Sequence, residues 1–293
     1  MDRNEFRGRI GPWGVDTFRP SFLSPADSAE LASGLDEQGW PVLWIPEIGL
    51  TEALSQAGHL LAGSERILVA SAIARIGDRT PGNAAAAHAY LRGAYDGRHV
   101  LGLGLGPLAR QPGPMRVLLD WLDEFDAADE AFGGEATTLL AAYGPRMVRL
   151  GGERSLGAMT FLVTPEHTAA SRELLGADPV LVAEQAVVLT EDRAEARSIA
   201  RAHTTPYVAS APHERKFAAL GFGPADWSGG HSDRLLDALV ASGTMDECVE
   251  RLREHLDAGA DHVACCVLGT ETVDDELSAY AELADALGVG SPS

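Results

Sequence analysis

Eight short apolar runs, each followed by a helical stretch, constrain this chain more than any other feature. Parallel strands cannot be joined by a tight turn and need a crossover of helical length, so this alternation predicts a parallel sheet. The runs are Arg9–Trp13, Val42–Pro46, Arg66–Ile73, Val100–Pro107, Thr137–Tyr143, Leu156–Leu162, Val180–Leu189 and Asp261–Leu268. Several helices are announced by a proline in their first turn, at Pro25, Pro81, Pro145 and Pro165, where the missing N–H costs nothing. Eight units in 293 residues favour an α/β fold closed into a (β/α)8 barrel over an open sheet. Thr190 to Ala260 is mostly helical, with a helix expected over Asp233–Ser242, and reads as an insertion between the seventh and eighth strands. No linker or low-complexity block divides the chain, so one domain over residues 1–293 is expected.

Composition narrows the function classes. At 45% hydrophobic the chain can bury a sizeable core, yet no run of about 18 apolar residues suggests a membrane span. The N-terminus is polar and lacks a signal-peptide core, so a cytoplasmic protein is expected. Cys248, Cys265 and Cys266 are the three cysteines, and the last two point to opposite faces of a strand, which predicts buried thiols. Neither a CxxC nor an HExxH spacing occurs, so no metal is expected. A net charge of −20 argues against nucleic acid and anionic membranes as partners; a small-molecule substrate fits, and a homodimer is left open. Lys216 is the only lysine.

The run Val100-Leu101-Gly102-Leu103-Gly104-Leu105-Gly106-Pro107 alternates leucine with glycine. Three glycines in one strand imply close backbone approach, either by tight packing inside a barrel or by a wall against a planar ligand. In an α/β barrel the site lies at the C-terminal strand ends, which selects Trp13, Glu47, Ile73, Gly106, Tyr143 and Met159. That set is apolar and aromatic with one carboxylate, and suits a flat cofactor better than a hydrolytic triad. Glu47 follows the second strand directly. It reads either as a loop carboxylate capping the next helix or as a proton donor whose pKa is raised by an apolar wall of Trp44 or Trp13. Gly144-Pro145-Arg146 opens a helix straight after a strand, where free amides and the helix dipole favour an anion.

Taken together, Arg9–Gly14, Leu43–Glu47, Val100–Gly106, Ala141–Met147, Leu162–His167, Glu184–Leu189 and Asp257–Val263 give the chain its resemblance to a known family. It resembles the luciferase-like flavin- and deazaflavin-dependent oxidoreductases, and within them the actinobacterial branch of F420-dependent enzymes. The resemblance implies a (β/α)8 barrel and hydride transfer between coenzyme F420 and a small organic substrate. The alternatives are an FMN-dependent monooxygenase or reductase, and a non-catalytic flavin- or deazaflavin-binding protein. It further implies a non-proline cis peptide at Ala72–Ile73 supporting the cofactor ring. Gly104, Gly106, Ala142, Tyr143 and Met159 would line the cofactor, with its phosphate at Gly144, Pro145 and Arg146. Glu47 would be the proton donor, and Trp13 and Trp44 would belong to the substrate pocket. Glu47 stands where sugar-phosphate dehydrogenases of this superfamily carry a histidine, and no glutamate stands near Pro107.

Overall fold

The computed structural model describes residues 1–49, 51–208, 211–228 and 230–290. Its strands in chain order are β1 (Trp13–Asp16), β2 (Val42–Ile45), β3 (Leu68–Ser71), β4 (Ala74–Arg75) and β5 (His99–Gly104). They continue with β6 (Thr138–Ala141), β7 (Gly157–Thr160), β8 (Val180–Val188), β9 (Val240–Ser242) and β10 (His262–Val267). All pairings are parallel. Eight of the strands close a (β/α)8 barrel, sealed where His262–Val267 pairs with Val182–Val187 and β1 pairs with β10. The short β4 and β9 lie alongside β5 and β8.

Alternation along each strand sorts its side chains between two cores. Val42, Trp44, Ala70, Val100, Met159, Val182 and Ala264 share the barrel interior. Leu43, Ile45, Val69, Leu101, Leu103 and Leu140 face outward into the helical layer. That layer begins with α1 (Arg3–Ile10), α2 (Pro25–Glu37), α3 (Ala53–Ala62) and α4 (Pro81–Ala94). Next come α5 (Pro114–Glu130), α6 (Pro145–Arg154) and α7 (Pro165–Leu175). Between β8 and β10 run α8 (Arg193–Val208), α9 (Ala211–Ala219), α10 (Pro224–Trp227), α11 (Asp233–Leu239) and α12 (Met245–Asp257). The last helix is α13 (Val273–Leu287). Among the described residues no helix is long and apolar enough to cross a membrane.

Two expectations about boundaries are corrected. The first run is helical, not extended, through Ile10. Asp2 caps α1 by accepting from the amides of Asn4 and Glu5, and Phe6 and Ile10, one turn apart, plug the N-terminal end of the barrel. Gly11 then turns the chain at φ +56°, which glycine adopts without steric cost, and β1 starts at Trp13 rather than ending there. The helix expected over Asp233–Ser242 stops at Leu239, because Val240–Ser242 finds strand partners in Ala186–Val188.

The glycines of β5 admit the end of β3, backbone at Gly102 and the Ile73 side chain at Gly104. A Cβ on Gly102 would stand 2.0 Å from the Ser71 carbonyl oxygen, and one on Gly104 would stand 2.2 Å from Ile73 Cδ1. Ser71 Oγ also donates to the Gly102 carbonyl at 2.9 Å. The end of β3 therefore leans directly on β5. Gly102→Ala must push backbone against backbone and should cost at least about 1–3 kcal/mol, the usual range for overpacking. Gly8→Ala, on an exposed face of α1 with open space around it, should instead stabilise by up to about 1 kcal/mol. Urea unfolding of both variants checks this; a Gly102→Ala protein as stable as the parent contradicts the contact.

Candidate active site

The C-terminal mouth of the barrel carries buried charge. Asp16 ends β1 and Glu184 lies midway along β8, each only 4% exposed. From above, the helices after β8 bring His203 and Tyr207 on α8 and His213, Lys216 and Phe217 on α9. Phe18 and Phe161 complete an aromatic lining. The Phe161 and Tyr207 rings are 4.9 Å apart, Phe18 and His203 5.3 Å, and Tyr143 and His213 4.9 Å.

Leu162, just past β7, organises the charges. It is a non-glycine residue at φ +50°, a left-handed conformation that costs about 1–3 kcal/mol and persists only when its surroundings hold it. Both of its polar groups are held. Its N–H donates to Glu184 Oε2 at 2.9 Å, and its carbonyl accepts from Lys216 Nζ at 2.6 Å. Lys216 Nζ also donates to the Phe161 carbonyl at 2.8 Å and lies 4.6 Å from the centre of the Tyr143 ring.

Burial dominates the electrostatics here. It pushes the Glu184 carboxyl up to about 7, against the Leu162 amide and the Lys216 charge, which pull it down. It raises Asp16 well above the usual carboxylate range, and the Glu184 charge adds to this. Burial drives Lys216 well below its ordinary value, opposed by Glu184, and drives His203 down to about 4 and His213 down to about 3. Four buried atoms in this region have no hydrogen-bond partner among the described residues: Asp16 Oδ1, Glu184 Oε1, His203 Nε2 and His213 Nδ1.

The expected site residues divide between this mouth and other places. The Ala72–Ile73 peptide is cis, and both residues are half-buried after β3. Gly104 packs against Ile73, while Gly106, at φ +53°, packs against the Arg75 side chain. Tyr143 faces the mouth through Lys216 and His213. Met159 lies in the barrel interior, but the Ala142 side chain points outward among Val148, Ala158 and Leu181. Gly144 begins α6 with no side-chain cap, and Pro145 and Arg146 are exposed. Trp44 is fully buried below the mouth, its Nε1 donating to His262 Nε2 at 3.0 Å. Trp13 stands at the start of β1 in the outward-facing core, at the far end from the mouth, because the first strand begins later than expected.

With this geometry in hand, the comparisons can be read. A family model described as luciferase-like monooxygenase matches residues 9–133 and 134–262. The chain belongs to the luciferase-like monooxygenase family. Among curated proteins, a 5,10-methylenetetrahydromethanopterin reductase of Methanolobus tindarius is 29% identical over 167 residues, covering 48% of this chain. The chain spans about half the length of that curated relative, 51%. Among solved structures, an F420-dependent secondary alcohol dehydrogenase in complex with an F420–acetone adduct matches with TM-score 0.69 at 14% identity. That match covers 94% of this chain and 99% of the other. The oxygenating constituent of 3,6-diketocamphane monooxygenase from Pseudomonas putida, in complex with FMN, matches with TM-score 0.70 at 14% identity. It covers 97% of this chain and 99% of the other. At such identities these structures share the fold. The protein is thus a luciferase-like oxidoreductase built on a (β/α)8 barrel.

Within this luciferase-like barrel the surroundings of Glu47 differ from the apolar wall expected for a proton donor. Its carboxylate accepts from the amides of Ala53 at 3.0 Å and Arg75 at 2.6 Å, from Arg79 Nη1 at 3.0 Å, and from Arg79 Nη2. Arg79 also holds Glu52, the cap of α3. Cations and amides surround Glu47, and it ties β2, α3 and β4 into one corner. Asp16, Glu184 and Lys216 were not singled out as site residues. Their only signals were a carboxylate closing an apolar strand, another inside an apolar run, and a solitary lysine. Glu47→Gln, which breaks a buried ion pair while leaving Glu52 on Arg79, should cost about 3 kcal/mol, the low end for such pairs. Thermal or urea unfolding measures this, and parent-like stability contradicts the structural role.

Proposed function

We propose that this luciferase-like oxidoreductase binds coenzyme F420 in the barrel mouth and transfers hydride between it and a small organic substrate. The observation that carries the reading is the unpartnered set Asp16 Oδ1, Glu184 Oε1, His203 Nε2 and His213 Nδ1, buried between aromatic walls. Each such atom costs about 1–3 kcal/mol while it lacks a partner, and a flat ring with polar edges together with a substrate stacked on it supplies partners. When bound, the deazaflavin supplies the hydride chemistry. The chain's own residues hold and orient it. Ala72 and Ile73, backed by Gly104 and Gly106, would form the wall under the ring, with Tyr143 and Met159 beside it. Ala142 has only its carbonyl to offer, since its N–H donates to the Met159 carbonyl at 2.8 Å. Gly144, Pro145 and Arg146 would take the phosphate. Gly144 puts no side chain on the first-turn amides of α6, and Arg146 has no ion pair among the described residues. Trp44 would form the floor.

The names of the relatives support the cofactor class. One curated relative is a reductase, and one similar fold is an F420-dependent dehydrogenase. A second reading, FMN, is favoured by the similar fold solved with FMN bound. Fluorescence titration separates the two. Coenzyme F420 should bind more tightly than FMN, and Arg146→Ala should weaken F420 binding at low salt by about 1–3 kcal/mol. Tighter FMN binding, or yellow FMN carried through purification, overturns the F420 reading. An unchanged dissociation constant in Arg146→Ala removes Arg146 from the phosphate site.

A further inference from the structure

We propose that Glu184 is the group that passes a proton to and from substrate in the barrel mouth, and that Lys216 of α9 is the positioning residue that sets its charge. The proposal rests on the hydride-transfer reading above. Its geometry is the contrast between two buried carboxylates. Glu47 is saturated: two backbone amides and both terminal nitrogens of Arg79 hold its two oxygens. Glu184 has a single donor, the Leu162 amide on Oε2, while Oε1 is buried without a partner in the aromatic mouth. A carboxylate held as Glu47 is has no free position for a proton; Glu184 has one.

Lys216 reaches this site from the helical segment, not from the barrel. Its ammonium spends two of its three hydrogens on the carbonyls of Phe161 and Leu162. Leu162 therefore carries the carboxyl group on its N–H and the ammonium on its C=O. One left-handed residue sets the distance between the charges and keeps them from collapsing into a direct pair. The groups whose charges couple to Glu184 come from five elements: Asp16 from β1, Cys266 and, behind the strand, Cys265 from β10, Tyr143 past β6, Tyr207 from α8 and Lys216 from α9. Burial raises both thiols and both phenols, so they stay neutral through the neutral range. Asp16 is raised well above the usual range by burial and by the Glu184 charge, so the two carboxyls are coupled. Lys216 is driven down by burial and drawn up by the Glu184 charge, and Glu184, pushed up to about 7, exchanges near neutrality, where proton transfer in either direction is least costly.

The step balances as follows. A bound reduced deazaflavin would supply the hydride that forms a C–H bond at a carbonyl carbon as the C=O π bond breaks. The alkoxide oxygen takes the proton of Glu184. The two electrons travel with the hydride. Glu184 would regain a proton from water, which would take up the one released when the cofactor is oxidised.

Infrared difference spectroscopy between pH 5 and pH 9 tests the proton-holding role on the full chain without cofactor. The parent should show one carboxyl C=O band titrating near neutrality, and Glu184→Gln should lose it. Lys216→Met removes the cation and should move the midpoint up by about one pH unit, while Lys216→Arg should restore it. Should Lys216→Met unfold, Lys216→Gln, which keeps an N–H donor without the charge, carries the same expectation. A parent with no such band, a band that survives Glu184→Gln, or a midpoint indifferent to loss of the Lys216 charge overturns the proposal. With reduced F420 bound, the pH profile of cofactor oxidation by a carbonyl acceptor should share that midpoint and move with it. A profile that stays fixed overturns the catalytic role. Failure to bind F420 overturns the hydride-transfer reading instead and does not alter the infrared result.

Discussion

The contact on which the mouth of this barrel depends is the approach of the Ser71 carbonyl to Gly102. No side chain fits between them, so the end of β3 lies flush against β5 and delivers Ala72 and Ile73 to the rim. One layer higher, Gly104 makes room for the Ile73 side chain. A strand end seated on bare backbone at Gly102 and locked by a side chain at Gly104 gives a rigid wall, and a rigid wall suits a planar ring better than an irregular ligand. The glycine run thus acts on the site through the neighbouring strand.

Around this wall the chain also buries charge. Burying an ionised group is costly unless partners hold it, and the protein answers that cost in two ways. At Glu47 it surrounds the carboxylate with amides and guanidinium, which makes a structural corner. At Glu184 it leaves one oxygen unpaired and keeps Lys216 one backbone residue away. Environment alone separates these two glutamates. The left-handed Leu162 is the piece that holds the second arrangement in place, and the helices after β8 supply its cation.

Much of the fold was legible in the sequence, because strand and helix periodicities differ and prolines mark helix starts. The closed barrel agrees with that reading, and the cis bond at Ala72–Ile73 agrees with what the family resemblance implies. Its misses are equally physical. The helix α1 is eight mostly polar residues with only Phe6 and Ile10 to mark its apolar face, and overlooking it displaced Trp13 from the foot of β1 to the rim. Val240–Ser242 continues a helical pattern and became a strand because β8 is long enough to offer it an edge. Asp16, Glu184 and Lys216 converge from three distant segments. Burial of a charge is a property of tertiary neighbours, and no local spacing reports it.

The central claim is that a deazaflavin lies in the mouth between the Ala72–Ile73 wall and the helices α8 and α9. Hydrogen–deuterium exchange of the full chain, with and without saturating coenzyme F420, tests it most directly. The account predicts slower exchange in peptides covering Ile73–Arg75, Tyr143–Met147, Leu162 and His213–Phe217, with the outward face of α5 unchanged. Protection confined to other segments, or none at a concentration that quenches F420 fluorescence, would contradict it.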